Sequence, residues 1–303
     1  MSALSRISVV IPCYRDSATL GRALASLQRQ TRPADEIIVV DDCSPEGAEI
    51  QQVLEKFPQV RYVRNATNLG LAGTRNEGLS LVTCDVVTFM DADDEAHPQR
   101  FEYQVRHVAS RQAVACDVAI VPAGKAAPNH RQFTSEPIKV YRSPDQIAYF
   151  NRLTGASLMA HTALLKSMGG YDPELRSCED FDLWLRLLMG EVTVHRIRLP
   201  LYIYHQNPRG LSRDYRSIGH WELEVISRLA RSGWIGDPAS LKVGTVWAMW
   251  LAKQYARGAS TGDPVLAKLA DAQLHRLSMW PYLKMILKIF AAIRFLGLYR
   301  FIR

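Results

Sequence analysis

Apolar, β-branched segments alternate with amphipathic segments over the first 90 residues, and this alternation constrains the fold more than any other feature of the chain. Strands are predicted at 7–12, 36–42, 60–63 and 86–90, and helices at 19–30, 48–57 and 71–81. A repeat of strand, helix and strand implies right-handed crossovers and a mainly parallel sheet. We therefore predict an α/β fold built on a Rossmann-like, mainly parallel sheet.

Polar and acidic residues follow three of the predicted strands. Pro12 and Tyr14 end the first strand, Asp42 ends the second, and Asp91 and Asp93 follow the fourth. In open α/β sheets, ligands bind outside the carboxyl ends of the strands. We expect these five side chains to lie along one ligand-binding edge.

The Asp-x-Asp pair after the fourth strand has three interpretations: a solvated acidic turn, a calcium-binding loop, or a site for a divalent cation and a diphosphate. A calcium loop would use Asp91, Asp93, Glu95 and Glu102 at its first, third, fifth and twelfth positions. However, Ala96 occupies the position that needs glycine, Pro98 follows, and the preceding element is a predicted strand. The solvated turn and the metal-diphosphate site both remain open at this point.

Five short motifs occur in order within residues 5–215. They are VIPCY at 10–14, VVDDCS at 39–44, NLGLAGTRN at 68–76, FMDADD at 89–94, and GGYD at 169–172 followed by EDFDLW at 179–184. Together they resemble the family 2 inverting glycosyltransferases, whose fold is the glycosyltransferase A type with a nucleotide-binding sheet. Arg15 and Thr74 depart from the residues usual in that family, which affects details of the donor fit.

The resemblance implies a metal-diphosphate site. Asp93 would hold Mn2+ or Mg2+, Asp91 would support the ribose or the water shell of the metal, and His205 would lie close to the metal and the diphosphate. A lone histidine beside apolar residues is also typical of a structural side chain, so both readings of His205 stay open.

The resemblance also implies a nucleotide site. Asp42 and Arg75 would hold the uracil side of the nucleotide, and Pro12 and Tyr14 would frame the base. The alternatives are a helix cap for Asp42 and a surface ion pair for Arg75.

For the general base, the resemblance points to Asp180, with Glu179 as a supporting carboxylate. An inverting displacement requires one carboxylate that faces the acceptor hydroxyl. The alternative is a capping pair, because Ser177 and Asp180 have capping-box spacing at the start of a predicted apolar helix.

These features predict an inverting, metal-dependent glycosyltransferase that moves one sugar from a nucleotide diphosphate sugar, with UDP as the expected nucleotide, to a glycan or lipid-linked acceptor. Single additions are expected because the chain lacks the Gln-x-x-Arg-Trp motif of processive synthases. One alternative is a sugar-nucleotide nucleotidyltransferase, although residues 13–17 lack the glycine-rich loop of that class. Another is a catalytically inactive glycan-binding or scaffold domain, which the intact acids disfavour.

A linker-like patch at 122–129 and a basic tail divide the chain into three parts. With the roles that the resemblance implies, these are a nucleotide-sugar half at 1–121, an acceptor half at 122–215, and a helical, basic C-terminal region at 216–303. The last part has 13 Lys and Arg against 5 Asp and Glu. Within it, residues 276–303 carry six cations, several aromatic residues and no acid, which favours contact with an anionic membrane over a packed helix. No nucleic-acid motif accompanies the charge. Five cysteines without a Cys-x-x-Cys pair, and no apolar targeting or spanning segment, predict a cytoplasmic protein. The basic segment 276–303 adds the expectation of peripheral contact at the inner membrane face.

Overall fold

The computed structural model describes residues 5–148, 151–207, 210 and 214–232. Its strands are β1 (Ile7–Cys13), β2 (Glu36–Asp41), β3 (Arg61–Arg64), β4 (Val86–Phe89), β5 (Glu95–Ala96), β6 (Gln112–Val121), β7 (Ile138–Tyr141), β8 (Met159–His161) and β9 (Thr193–His205). Its helices are α1 (Ser17–Gln28), α2 (Gly47–Leu54), α3 (Gly70–Leu81), α4 (Arg100–Val105), α5 (Asp145–Ala148), α6 (Thr162–Ser167), α7 (Glu179–Met189) and α8 (Tyr215–Arg231). A 3-10 turn lies at Gly155–Ser157.

All nine strands belong to one sheet with the order β3-β2-β1-β4-β8-β6-β9-β5, and β7 pairs with β9. The strands β3, β2, β1 and β4 are parallel to one another, as the alternation of strands and helices predicts. The predicted α/β fold with a Rossmann-like, parallel first half is confirmed. Beyond β4, antiparallel pairs with β8 extend the sheet, and β6 and β9 form a long parallel pair.

The central strands form because their residues are apolar on both faces. Every residue of β1 and β4 is buried, as expected for strands covered on two sides by helices. The helix α1 packs on them through Leu20, Ala23, Leu24 and Leu27, which recur at helical spacing. A core of this kind fixes the carboxyl ends of the strands, where the polar residues lie.

The first strand does not stop at Pro12, as the sequence suggested, but continues to Cys13. Pro12 pairs with Val40 of β2 and lies beyond Val10, the last residue of β1 that pairs with β4. The N–H that proline lacks is therefore not needed for the ladder at this place. Other boundaries moved by up to three residues. For example, α2 ends at Leu54 and a turn continues to Phe57.

The chain divides into two compact units: Met1–Gln146 with Asn151–Gly210, and Ile147–Phe150 with Leu211–Arg303. The two halves predicted at 1–121 and 122–215 contribute strands to one sheet, and the boundary between them follows the end of β6 at Val121. The helix α8 belongs to the second unit. No helix among the described residues has the length and apolar character needed to cross a membrane. The basic segment 276–303, predicted to contact a membrane, lies outside the described residues.

Candidate active site

The carboxyl ends of β1 and β2 form one side of the site. The backbone turns sharply after each strand, because Arg15 and Cys43 adopt the left-handed conformation, with φ of 60° and 57°. The amide of Arg15 donates to the Ser44 hydroxyl at 3.0 Å, which joins the two turns. Tyr14 is 40% exposed, and the Arg15 guanidinium lies 5.3 Å from the centre of its ring. An aromatic face is thus presented at the edge where the sequence predicts the base of a nucleotide.

Asp42 is buried and anchors the start of α3. Its carboxylate accepts hydrogen bonds from the amides of Leu69, at 2.7 Å, and Gly70, at 2.9 Å, and from the Asn65 side chain at 2.9 Å. These contacts match the helix-cap alternative. The predicted contact of Asp42 with uracil stays a prediction.

The segment 91–94 after β4 is a set of close, partly buried carboxylates. Asp91 accepts from Arg75 at 2.9 Å, and Asp93 accepts from the Asn207 side chain at 3.2 Å. Asp94 is fully buried and accepts from the Tyr202 hydroxyl, at 2.6 Å, and from the amide of His205, at 2.8 Å. A simple solvated turn does not bury a carboxylate in this way.

These carboxylates also disfavour one another's charge. Burial, and then the charge of Asp91, raises the pKa of Asp93. Burial, followed by the charges of Asp91 and Asp93, raises the pKa of Asp94. Burial, with a smaller contribution from the charges of the same two carboxylates, raises the pKa of Asp16 to about 6. A positive charge brought to this loop would therefore be favoured.

A cleft of about 500 Å³ opens beside Asp93. It is lined by Asp93, His205, Gln206, Asn207, Thr19, Arg22 and the loop 122–126 that follows β6. The His205 ring points its Nε2 at Glu95, at 2.8 Å from Oε1. His205 therefore lies in the same cleft as Asp93, and a buried carboxylate orients it.

The calcium-loop interpretation is contradicted by the partners of its two glutamates. Glu95 is buried and engaged by Arg29, at 3.0 Å, and by His205. Glu102, in α4, pairs with Arg106, the residue that directly follows this helix. Across the part of the chain that the structure describes, no three His, Cys, Asp or Glu side chains are arranged to hold a metal by themselves.

Arg75 connects the two acidic motifs. It is 3% exposed, and its two terminal nitrogens contact Asp91, at 2.9 Å, and Glu179, at 2.6 Å. Burial opposes the charge of the guanidinium, but the neighbouring carboxylates outweigh it and raise the pKa of Arg75. The surface ion pair considered from the sequence is wrong, because this ion pair is buried. A contact between Arg75 and uracil stays a prediction.

Glu179 and Asp180 begin α7 and differ in surroundings. Glu179 is buried, and its carboxylate faces Arg75. Asp180 is partly exposed, and its oxygens accept from the amides of Gly155, at 3.0 Å, and Phe181, at 2.7 Å. Burial raises the pKa of both carboxyl groups, and Arg75 counteracts that rise. Of the two acids, Asp180 is the one that retains some solvent exposure.

The capping pair of Ser177 and Asp180 does not form as the spacing suggested. The residue that precedes the helix is Cys178, in the left-handed conformation with φ of 63°, and its side chain makes no cap hydrogen bond. The Ser177 hydroxyl lies 3.8 Å from the Cys178 sulfur. Asp180 instead binds the amide of a distant turn.

The order of these motifs and the fold agree with comparisons to known proteins. A sequence model described as Glycosyl transferase family 2 matches residues 8–164. The chain belongs to glycosyl transferase family 2. A Haemophilus influenzae protein described as an uncharacterized glycosyltransferase is 31% identical over 215 residues, which cover 69% of this chain and 71% of that protein. The putative teichuronic acid biosynthesis glycosyltransferase TuaG of Bacillus subtilis is 24% identical across 84% of this chain and 95% of its own length.

Solved structures show the same fold as this family 2 glycosyltransferase. TarS 1-349 of S. aureus, in complex with UDP-GlcNAc, superposes with a TM-score of 0.61 at 21% identity, over 81% of this chain and 70% of that chain. The predictions of the family, of the glycosyltransferase A fold and of a transferase are confirmed, and the nucleotidyltransferase alternative is not supported.

Sequence reasoning missed several residues that shape the family 2 site. Asn207 contacts Asp93, Tyr202 contacts Asp94, and Gly155 contacts Asp180. Tyr202 and Asn207 flank His205, so the motif that drew attention to His205 could have indicated them. Gly155 follows Thr154 in a segment with no motif, and no sequence signal points to it.

Proposed function

We propose that this chain transfers one sugar from a UDP-sugar, with inversion at the anomeric carbon, to a hydroxyl of a glycan or lipid-linked acceptor in polysaccharide synthesis. The observation that carries the proposal is the bridge from Asp91 through Arg75 to Glu179, which brings the donor-side acids and the predicted base into one site. The name of the teichuronic acid biosynthesis relative supports a polysaccharide product.

The nucleotide would bind across the ends of β1 and β2. Tyr14 offers an exposed ring for the base, and Pro12 fixes the backbone beneath it. Asp42 holds the start of α3, so it would shape this part of the site even where it does not touch uracil. The UDP-GlcNAc complex of TarS, which has the same fold, supports a UDP-sugar as the first donor to test.

A divalent cation fits the loop after β4. Burial and the charge of Asp91 raise the pKa of Asp93 and of Asp94, so an added positive charge is favoured there. Asp93 would hold Mn2+ or Mg2+, with His205 lining the same cleft. Magnesium commonly keeps water and substrate phosphate oxygens as ligands, so one or two protein ligands are sufficient. When bound, the cation neutralises the departing diphosphate as a Lewis acid.

The chain's own residues would carry out the remaining chemistry. Asp180 accepts the proton of the acceptor hydroxyl as that oxygen attacks the anomeric carbon from the face opposite the diphosphate. Its raised pKa improves it as a base relative to an ordinary aspartate. Glu179 is engaged by Arg75 in a buried ion pair, so Asp180 is the carboxylate proposed to face the acceptor.

The test combines binding and transfer. Thermal unfolding with a panel of nucleotide sugars should show stabilisation by one UDP-sugar that is much larger with Mn2+ than with EDTA. Asp93→Asn should remove that metal dependence and lower transfer by about 100-fold or more. Asp85→Asn is the matched control, because Asp85 is exposed and precedes the opposite end of β4.

Two outcomes would contradict the proposal. Full transfer in excess EDTA would exclude metal dependence. NMR of the product should show the anomeric configuration opposite to that of the donor, and a retained configuration would exclude inversion. A lipid-linked acceptor would place the reaction at the membrane face, where contact through 276–303 and the cytoplasmic location remain predictions.

A further inference from the structure

We infer that Gly155 is a positioning residue for Asp180, and that glycine is needed there because its backbone must touch the Asp180 side chain. The inference rests on the proposed function, in which Asp180 is the general base. Gly155 lies outside every motif that identified the family.

The contact between the two residues leaves no room for a side chain. The Gly155 amide donates to Asp180 Oδ2 at 3.0 Å. A Cβ atom added to Gly155 would overlap Asp180 Cβ and lie 3.0 Å from Oδ2 and 3.1 Å from Cγ. The Phe181 amide holds the other oxygen, Oδ1, at 2.7 Å. Two amides from separate segments therefore fix the direction of the carboxylate.

Two buried side chains, Arg100 and Gln104, hold the turn that carries Gly155 in place. Arg100, which is fully buried, donates to the Ala156 carbonyl at 2.9 Å, and Gln104 donates to the Ser157 carbonyl at 2.7 Å. The Ser157 hydroxyl closes the turn onto the Thr154 carbonyl at 2.8 Å. Because the turn is anchored, an added methyl group would displace Asp180 rather than the backbone of Gly155.

Arg100 also ties this turn to the donor side. Its guanidinium donates to the Phe89 carbonyl, at 3.0 Å, at the end of β4, two residues before Asp91. The turn that orients the base and the strand that delivers the Asp-x-Asp pair thus share one buried side chain. The position of Asp180 relative to the predicted donor side therefore depends on these contacts. The hydrogen bond from the Gly155 amide is the contact that connects the turn to Asp180.

Displacing a general base changes the rate more than it changes donor binding. A misplacement of about 1 Å can lower a rate by about 100-fold. Gly155→Ala should therefore lower kcat by about 10-fold to 100-fold while the Kd for the UDP-sugar changes by less than about 2-fold. Gly21→Ala is the matched control, because Gly21 lies in α1 and its added Cβ would make only an ordinary contact, at 3.6 Å, with Val53 of α2. It should leave kcat unchanged.

Testing Gly155→Ala in an enzyme that already carries Asp180→Asn distinguishes a loss of Asp180 positioning from general damage to the enzyme. In an Asp180→Asn enzyme, adding Gly155→Ala should lower kcat no further, because both changes act through the same carboxylate. A further large drop would overturn the inference. Full kcat in Gly155→Ala alone would also overturn it. If Asp180→Asn itself leaves kcat unchanged, the proposed base is wrong, which is a separate failure.

Unfolding measurements settle the case in which Gly155→Ala folds poorly. The overlap is with the Asp180 side chain, so Gly155→Ala should lower Tm in the natural background but not in an Asp180→Gly background. Equal losses of Tm in both backgrounds would show that the added methyl group meets something other than Asp180, and would overturn the inference.

Discussion

The two acidic motifs of the site differ in how their charges are balanced. For Asp93, in the loop after β4, the largest effect on the pKa after burial is the charge of Asp91, which raises it. For Glu179, at the start of α7, the largest effect after burial is the charge of Arg75, which lowers it. Asp180 shows the same pattern as Glu179 and also accepts two amide hydrogen bonds.

Because of this difference, the two regions are suited to different tasks within one site. The loop after β4 brings negative charges together, so it is suited to a ligand that brings positive charge. The start of α7 is balanced by a buried guanidinium and by backbone amides, so it is suited to holding one carboxylate in a fixed direction. Arg75 belongs to both regions, because it contacts Asp91 as well as Glu179.

Removing Arg75 should have the largest effect, because Arg75 contacts acids in both regions. Its loss leaves Glu179 without a counter-charge at the start of α7 and removes the positive charge beside Asp91 in the loop after β4. Arg75→Met should lower the free energy of unfolding by roughly 3–5 kcal/mol, the loss typical when a buried ion pair is left with an uncompensated charge. Urea unfolding measures it. Arg106→Met is the control: its pair with Glu102 is exposed, and a loss of about 0–1 kcal/mol is expected. Equal losses in both variants would contradict the buried bridge.

Asp180→Asn tests whether the balanced region serves chemistry rather than binding. We expect kcat to fall by roughly 100-fold or more, the scale of losing a general base, while the Kd for the UDP-sugar stays nearly constant. Asp93→Asn should instead weaken donor binding in the presence of Mn2+. Isothermal titration and initial rates separate the two variants. If Asp180→Asn and Asp93→Asn weakened donor binding to a similar extent, the proposed difference in role between the two regions would be wrong.

The sequence was sufficient for the first half of the sheet. The strands β1 and β4 are uniformly buried and mainly apolar, and α1 repeats its apolar residues at helical spacing, so the strands and the helix could both be recognised from the sequence. The motif residues follow strands whose parallel order brings their ends together. Asp42, Asp91 and Asp93 could therefore be placed along one edge before any contact was known.

The contacts that connect the two acidic regions could not be read in this way. Arg75 and Glu179 are 104 residues apart in the sequence, and Gly155 and Asp180 are 25 apart. Neither pair belongs to one helix or one strand, so no periodicity joins them. The antiparallel strand β8, which follows the turn with Gly155, is only three residues long and carries no pattern of its own.

Asp16 offers the smallest and most specific test of the repulsion in the first region. Burial and the charges of Asp93 and Asp91 raise its pKa from 3.8 to about 6. A carboxyl group with a raised folded-state pKa adds stability at low pH, and this stability is lost as the pH rises through about 6. At pH 7.5 the ionised Asp16 therefore destabilises the fold, and Asp16→Asn should increase the free energy of unfolding.

The gain should be about 1 kcal/mol or less, because one pKa unit corresponds to about 1.4 kcal/mol and partial exposure screens the charges. Urea unfolding in EDTA at pH 7.5 should show the gain, and at pH 4 it should nearly vanish, since Asp16 is then largely protonated in the folded enzyme. Asp85→Asn, at the opposite end of β4, should show no such pH dependence. If Mn2+ binds at Asp93, adding it at pH 7.5 should shrink the advantage of Asp16→Asn, because the cation offsets the same repulsion. An advantage that is equal at both pH values would mean that the carboxylates of the loop do not repel Asp16, and the contrast between the two regions would then rest on Arg75 alone.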